Sequence, residues 1–436
     1  MEAAIKIETC LSCGEQIEVV PGYVKWCEHC LDQIQERKSE ESPKHWMTKI
    51  FDWLGRKNGE QLLQSVLSHQ SEKPGMTYKT GMAYVVATLI HITSLLLLVT
   101  AVYCLTIVNE SGAAIFAGVI LLAIAWLARP RVQKLEKDEK VYTANELPEL
   151  FELMNQVRLA LGSPKIDGVV INGDYNASIG YFGWRNRVIL RIGSSLWSVL
   201  DHEERIALLG HEIGHLVNGD LNRSGYIGTA LFTIYTWISV LIPERTTVYD
   251  TGLLDHMEEM NPVGLGPLNW ISQQFQRLVA FLPKIIFLTL LYLLYQNMQR
   301  AEYYADQLAV SVAGNAAVVR LLNKLEYWET FLYSMRKTVI ANGKIHFLTE
   351  LKEQFAIMPA KEKLRIQKIS ELEKARADET HPPTTYRLKY IKSRKLQKPL
   401  IQVDAAHMKR IDLEVAVYHE EAANELVELY RYYWYS

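Results

Sequence analysis

Four stretches of the chain are almost free of charged residues and alternate with highly charged segments. They are Met82 to Val108, Ser111 to Ala128, Ser224 to Pro243, and Leu278 to Met298. A transmembrane helix needs ~20 predominantly apolar residues. Because only Asn109 and Glu110 separate the first two runs, they predict a transmembrane hairpin. The third run predicts another span, and so does the fourth despite Pro283 and Lys284. For each run the alternative is a buried helix of a soluble domain.

Basic residues predict the orientation of these spans. Five of them directly follow the second run: Arg129, Arg131, Lys134, Lys137 and Lys140. The hairpin loop has no lysine or arginine, and acidic residues outnumber basic ones between Glu244 and Arg277. Lysine and arginine concentrate on the cytoplasmic side of membrane proteins. The pattern therefore predicts a multi-pass protein with its N-terminus and polar domain in the cytosol, in the plasma membrane if the chain is bacterial.

The remaining segments predict a mainly α-helical fold with a small β-sheet. Helical spacing of apolar residues from Trp46 to Leu54, with nearby lysines, fits either an interfacial amphipathic helix or packing against protein. Residues 144–161 have a helical pattern, whereas residues 169–171 and 188–192 resemble short strands. Asp201 and Glu204 have the spacing of a capping box that opens the next helix. Beyond Glu302 the pattern predicts several soluble helices.

Overall charge is nearly balanced, which removes one class of partner. The 436 residues carry a formal net charge of -2, so there is no whole-chain electrostatic argument for nucleic-acid binding. The length allows a main domain with an appendage. Residues 1–10 lack the basic start and apolar core of a signal peptide, so none is expected.

Four of the five cysteines lie near the N-terminus in two Cys-x-x-Cys pairs, Cys10 with Cys13 and Cys27 with Cys30. Such pairs suit a tetrahedral structural zinc ion, whose binding would supply the folding energy of so small a segment. Two disulfides are the alternative and would need an oxidising compartment. The surplus of acidic residues around these cysteines disfavours phosphate. A protein-contact role with an unknown partner and a purely structural cap both stay open.

The strongest chemical signal is the motif His211-Glu212-Ile213-Gly214-His215. Histidines at positions i and i+4 share one helical face and can bind one zinc ion. Glu212 would lie beside the metal and take a proton from water. Because an H-E-x-x-H sequence also arises by chance, the motif needs supporting residues elsewhere in the chain.

A second acidic segment, from Arg300 to Asp306, supplies that support and is predicted to open another helix. Glu302 can complete a site of two histidines and one glutamate, which leaves a fourth position for water. Asp306, one turn later, can orient a ligand histidine. His215 and Glu302 can meet only if the chain crosses the membrane an even number of times between them, which two spans allow. The metal would then lie close to the cytosolic membrane surface.

The segments His211 to Asp220 and Glu302 to Asp306 resemble those of the HtpX and CAAX-prenyl-protease superfamily of membrane zinc endopeptidases. The resemblance extends from about Met82 to Arg387 and is closer to the HtpX type, which has four spans. It implies a zincin-like (gluzincin) catalytic domain combined with about four transmembrane helices. The N-terminal zinc ribbon departs from the family pattern.

Two further sites follow from the resemblance alone. Asn176 and Ala177 resemble the edge-strand motif that aligns the substrate backbone in these proteases. His381, within a Thr-His-Pro-Pro sequence, and Arg387 resemble the segment that stabilises the tetrahedral intermediate. In both cases a simple turn or loop is the alternative.

Together these features predict a domain order. A zinc ribbon (1–35) precedes a linker (36–81), a transmembrane hairpin (82–128), a peptidase domain with two spans (129–395) and a helical tail (396–436). The predicted function is zinc-dependent cleavage of membrane-associated or misfolded proteins at the cytosolic face, with one catalytic and one structural Zn²⁺. Prenyl-protein processing and a non-catalytic zinc-stabilised scaffold are the alternatives.

Overall fold

The fold is taken from a computed structural model of the chain. The structure describes residues 6–31, 46–68, 75–108, 111–127, 129, 134–136, 139–183, 185–241, 266–372, 381–402 and 404–435. Within these residues the chain is mainly helical and has two small sheets, which confirms the predicted mainly α class. Part of the basic cluster after the hairpin, and most of the connection from 244 to 277, lie outside the described residues.

The N-terminal segment is a two-stranded ribbon closed by the four cysteines. Strand β1 (Lys6–Thr9) pairs antiparallel with β2 (Gln16–Val19). Between them Gly14 has a φ of 77°, a left-handed conformation that glycine adopts without a steric penalty. Ile17 packs with the sulfur side chains of Cys10 and Cys27 in a small separate core. So little apolar burial cannot hold the ribbon together without a cross-link.

Three helices follow the ribbon: α1 (Trp46–Ser68), α2 (Tyr78–Thr106) and α3 (Gly112–Leu127). The second half of α1 packs into the main core through Leu62, Leu63 and Val66. Helices α2 and α3 contact each other as a hairpin. Only 22% of the most apolar part of α2 is buried, and α3 likewise exposes large apolar side chains. A soluble core helix would bury that surface, whereas lipid would cover it.

A four-stranded sheet forms one layer of the polar domain. Its strands are β3 (Val141–Tyr142), β4 (Gly168–Asn172), β5 (Ala177–Phe182) and β6 (Arg187–Gly193). They lie in the order β3-β4-β6-β5, and only β4 and β6 are parallel. The two predicted strands correspond to β4 and β6. Strand β5 lies at the edge, with one side unpaired among the described residues.

Five helices form the centre of the domain: α4 (Pro148–Leu161), α5 (Ser194–Val199), α6 (His202–Asn218), α7 (Asp220–Leu241) and α8 (Gly266–Ala313). The predicted capping box opens α6, where the Glu204 carboxylate accepts a hydrogen bond from the Asp201 amide at 2.8 Å. The expectation that Arg300 opens a helix is wrong. Residues 300–306 continue the 48-residue α8 without interruption.

The described residues contain two helices long and apolar enough to cross a membrane, Tyr78–Thr106 and Leu278–Ala313. The second predicted run forms a shorter apolar helix, Gly112–Leu127. Residues 224–241 of the third run lie in α7, but the side chains at both ends of that helix are outside the described set. Four full spans therefore stay a prediction.

Six further helices complete the chain: α9 (Asn315–Leu325), α10 (Trp328–Ala341), α11 (Phe347–Ile357), α12 (Ala360–Leu372), α13 (Thr384–Ser393) and α14 (Ala405–Tyr435). Helix α14 contributes buried apolar residues, among them Met408 and Ile411, to the main core. Its Glu414 also accepts hydrogen bonds from the first amides of α4, at 2.8 and 2.9 Å. A distant carboxylate thus caps a helix that lacks a capping side chain of its own.

Candidate active site

Helices α6 and α8 bring together the two histidines and the glutamate that were predicted from the sequence as metal ligands. The Nε2 atoms of His211 and His215 are 3.3 Å apart. Glu302 lies opposite, with its Oε2 3.5 Å from His211 Nε2 and its Oε1 3.5 Å from His215 Nε2. His211 and Glu302 are buried, and His215 is partly exposed. Three side chains from two helices therefore direct ligand-type atoms at one point.

The spacing of these atoms fits a zinc ion. Tetrahedral zinc with bonds of ~2.0–2.1 Å holds its nitrogen and oxygen ligands ~3.3–3.4 Å apart. The observed separations of 3.3, 3.5 and 3.5 Å are close to this spacing, with each histidine approached by a different oxygen of Glu302. Zinc catalysts keep three protein ligands and an open fourth position, which is the donor set seen here.

Two glycines on α6 allow the helices to approach closely. A Cβ atom on Gly214 would lie 3.1 Å from the Cα of Ala305, and one on Gly210 would lie 3.1 Å from the Cα of Ala309. The pairs repeat at the same four-residue spacing on both helices. Small residues at this spacing let two backbones pack tightly. The same spacing of small residues is visible in the sequence, although it was not among the predicted features.

Behind the proposed metal ligands lies a buried ion pair. Asp306 Oδ1 is 3.1 Å from Nδ1 of His211, the position from which a carboxylate orients a ligand histidine. Arg387 on α13 donates two hydrogen bonds to Asp306, at 2.8 and 2.6 Å. Arg387 Nη1 also lies 3.8 Å from Glu302 Oε2. The guanidinium thus supports two carboxylates of the site, a pairing that sequence reasoning did not predict.

Glu212 and His381 differ in their exposure to solvent. Glu212 is buried beside the two histidines, and this burial raises the pKa of its carboxyl group. His381 Nδ1 lies 2.8 Å from Glu302 Oε2, and 60% of its side chain is exposed. An accessible imidazole beside the ligand carboxylate can meet a substrate that enters from solvent.

The Asn176 turn begins the edge strand β5. The side-chain oxygen of Asn176 accepts a hydrogen bond from the Ala177 amide at 2.8 Å, and its carbonyl accepts one from Gly193 at 2.9 Å. A Cβ on Gly193 would stand 2.1 Å from the Asp174 carbonyl oxygen, so only glycine fits there. Strand β5 contacts α6. The exposed edge of the sheet therefore runs beside the helix that carries the histidines.

The four ribbon cysteines form a second metal-type cluster. Cys10 Sγ is 3.7 Å from Cys30 Sγ, and Cys13 Sγ is 3.6 Å from Cys27 Sγ. All four sulfurs lie within 4.8 Å of one another. Zinc–sulfur bonds of ~2.3 Å place tetrahedral sulfurs ~3.8 Å apart, whereas a disulfide needs ~2.05 Å. None of the five cysteines forms a disulfide, and the cluster fits zinc.

Comparison with known proteins agrees with this site. The model of Peptidase family M48 matches residues 144–395. A "Protease HtpX homolog" of Pyrobaculum aerophilum is 26% identical over 284 residues, which cover 64% of this chain and 75% of the relative. A "Protease HtpX" of Thioalkalivibrio sulfidiphilus is 26% identical over 230 residues, 50% of this chain and 72% of the relative. No solved structure matches the chain. With the family model covering more than half of its length, the chain belongs to peptidase family M48 and is an HtpX-type metalloprotease.

Proposed function

We propose that the chain is a multi-pass membrane endopeptidase that cleaves membrane-associated or misfolded polypeptides at the cytosolic face. The observation that carries the proposal is the spacing of His211, His215 and Glu302, whose ligand atoms lie 3.3 to 3.5 Å apart. Glu302 belongs to the same helix as the apolar segment that begins at Leu278. Chemistry would therefore take place close to a lipid surface.

His211, His215 and Glu302 would hold the catalytic zinc, while Asp306 and Arg387 fix the first histidine and the glutamate in place. Bound there, zinc acts as a Lewis acid that lets water ionise near neutral pH. Glu212 takes the proton of the attacking water and returns it to the leaving amine.

His381 is the proposed partner of the oxyanion that develops on the scissile carbonyl. Its exposure and its contact with Glu302 place the ring at the rim of the site. A hydrogen bond that forms only as charge develops lowers the barrier to reaction. Arg387 acts through the carboxylates of Asp306 and Glu302. Its positive charge also helps to stabilise the developing oxyanion.

The substrate backbone would bind along the edge of β5, next to Asn176 and Ala177. An extended peptide can add to an open sheet edge through main-chain hydrogen bonds, so that recognition depends little on side chains. That mode suits unfolded polypeptides of varied sequence.

The N-terminal ribbon would carry the structural zinc through Cys10, Cys13, Cys27 and Cys30. Lys361 of α12 lies 5.8 Å above the Trp26 ring of the ribbon, and Trp26 is only 1% exposed. We propose that the ribbon is a protein-contact module whose zinc keeps it folded. Its partner is a protein and not a nucleic acid.

The decisive experiment is Glu212→Gln in the full chain reconstituted in membranes. The variant should retain zinc yet lose cleavage of an unfolded membrane protein, and it should trap bound substrates. Glu203→Gln is the matched control, because this side chain is 63% exposed on the same helix and should not affect turnover. Unchanged cleavage by the Glu212 variant would refute its role. Cleavage confined to farnesylated peptides would instead indicate prenyl-protein processing.

A further inference from the structure

A cleft of about 420 Å³ opens at the N-terminal end of α6. The beginning of α6 forms one wall, and helices α9, α11 and α12 form the others. Asp201 lies at this end, ~15 Å along the helix axis from His211. None of the described residues assigned to catalysis lines the cleft, so it is a separate site.

The charges that line the cleft are unbalanced. Its basic side chains are Arg320, Lys324, Lys352 and Lys363, and its acidic ones are Asp201 and Glu204. Glu203 also pairs with Arg320, at 3.3 Å, so four cations face three carboxylates and leave an excess of one positive charge. Such a concentration of like charge is unfavourable unless an anion or solvent ions offset it.

Two of the cations are held by the fold itself. Glu204 has a fully buried side chain and accepts hydrogen bonds from Arg320 Nε at 2.9 Å and Lys324 Nζ at 2.7 Å. Lys324 also donates to the Val199 carbonyl at 2.8 Å. These contacts fix one wall of the cleft, where Arg320 is 45% and Lys324 21% exposed.

The other two cations are available for a ligand. Lys352 on α11 and Lys363 on α12 are exposed, and neither forms an ion pair or hydrogen bond with the described residues. The positive end of the α6 dipole points to the same region. Two exposed ammonium groups that line one cleft with Arg320 and Lys324 have the charge that a dianion needs.

Two aromatic rings also line the cleft. The rings of Tyr327 and Phe355 both line the cleft, and their centroids are 5.6 Å apart. A ligand with an organic part next to its anionic group could pack against these rings. The volume of the cleft is within the range of small-molecule sites.

We propose that this cleft binds a small, soluble phosphate-bearing molecule, with Lys352 and Lys363 as its ligand-facing cations. A lipid headgroup would carry the same chemistry but has to reach the cleft from a bilayer. Helix α6 is ~25 Å long, and its other end continues into α7, which is proposed to be a span. The cleft therefore faces away from the lipid surface.

The test is equilibrium dialysis of the full-length, detergent-solubilised protein with inorganic phosphate at constant ionic strength. Wild type should bind phosphate saturably, and the double variant K352Q/K363Q should bind it roughly tenfold more weakly, as expected for the loss of charged hydrogen bonds. Lys409→Gln is the matched control, because Lys409 is exposed on α14 and does not line the cleft. Glycerol phosphate should compete with inorganic phosphate.

Three results would overturn the proposal. They are no saturable binding by wild type, equal binding by wild type and the double variant, and displacement by micellar phosphatidate but not by glycerol phosphate. Binding that persists in the double variant would locate the phosphate at the metal centre instead. A thermal melt without phosphate must be the same for all variants, and both substituted lysines are exposed, so folding should not change. Because the readout is binding, the result does not depend on peptidase activity.

Discussion

Gly214→Ala tests whether the close approach of α6 and α8 determines the metal geometry. The added Cβ would stand 3.1 Å from Cα and 3.3 Å from Cβ of Ala305. Carbon atoms at optimal contact are ~3.5–4.0 Å apart. Both atoms of Ala305 are fixed by the backbone and cannot rotate away, so the helices must separate by roughly 0.5 Å.

We expect the substitution to change the free energy of unfolding only a little, but to weaken zinc binding strongly. Overpacking a core destabilises the fold by about 1–3 kcal/mol. Replacing a helical glycine with alanine stabilises the helix by about 1 kcal/mol. Separation by half an ångström would stretch the 3.5 Å distances between Glu302 and the two histidines. Sites of this kind tolerate displacements of only ~0.5 Å. We expect zinc affinity to fall roughly 10–100-fold, as when supporting groups are lost.

Competition with a chromophoric zinc chelator measures this affinity, and a thermal melt measures stability in the same samples. Gly225→Ala makes the same chemical change on α7, where the added atom would meet nothing within 4 Å. This control should bind zinc like wild type. If Gly214→Ala retains wild-type zinc affinity and peptidase activity, the helix contact does not set the ligand geometry, and our reasoning is wrong.

Two other predictions concern the surroundings of the site, and a third concerns the buried His419 of α14. Arg387→Lys keeps the charge but loses the paired hydrogen bonds to Asp306, so zinc affinity should fall roughly tenfold; an unchanged zinc titration would contradict this. Gly193→Ala would place a Cβ 2.4 Å from the Asn176 carbonyl oxygen, so kcat/KM for an unfolded substrate should fall while zinc content stays the same; a loss of zinc instead would show that the change is not local. Burial, aided by nearby cations, lowers the pKa of His419 to about 3, from 6.5. The unfolded chain therefore binds this proton first, and stability is lost as pH falls below 6.5, by about 2 kcal/mol at pH 5. Denaturant melts at pH 7 and 5 should show a smaller pH effect in His419→Gln than in wild type; equal slopes would exclude His419 as the source.

The sequence predicted the parts of the site that depend on local periodicity. His211 and His215 share a face because a helix repeats every 3.6 residues, and that repeat can be read directly. The choice of Glu302 depended on residue type, since a carboxylate was needed to complete the ligand set. The structure places it at the required distance, while its role as a ligand stays a proposal.

The features that were missed depend on tertiary contacts. Arg387 and Asp306 are 81 residues apart, and Glu414 caps a helix 264 residues earlier. No local pattern predicts such pairs, because any charged side chain on a helix face has a solvated alternative. The helix boundary expected at Arg300 failed for a related reason. A change from apolar to charged residues marks a change of surroundings, and the backbone hydrogen bonds of α8 continue across it.

Because α8 is continuous, its apolar segment and the Glu302 carboxylate belong to a single helix and move together. At ~1.5 Å per residue, Glu302 lies roughly 28 Å beyond Pro283. A change in tilt of about 5° at that point would move the carboxylate by roughly 2.5 Å, more than a zinc site tolerates. In the proposed orientation α8 is a transmembrane helix, and such helices adjust their tilt to the thickness of the surrounding lipid, so bilayer thickness would alter the geometry of the proposed zinc site.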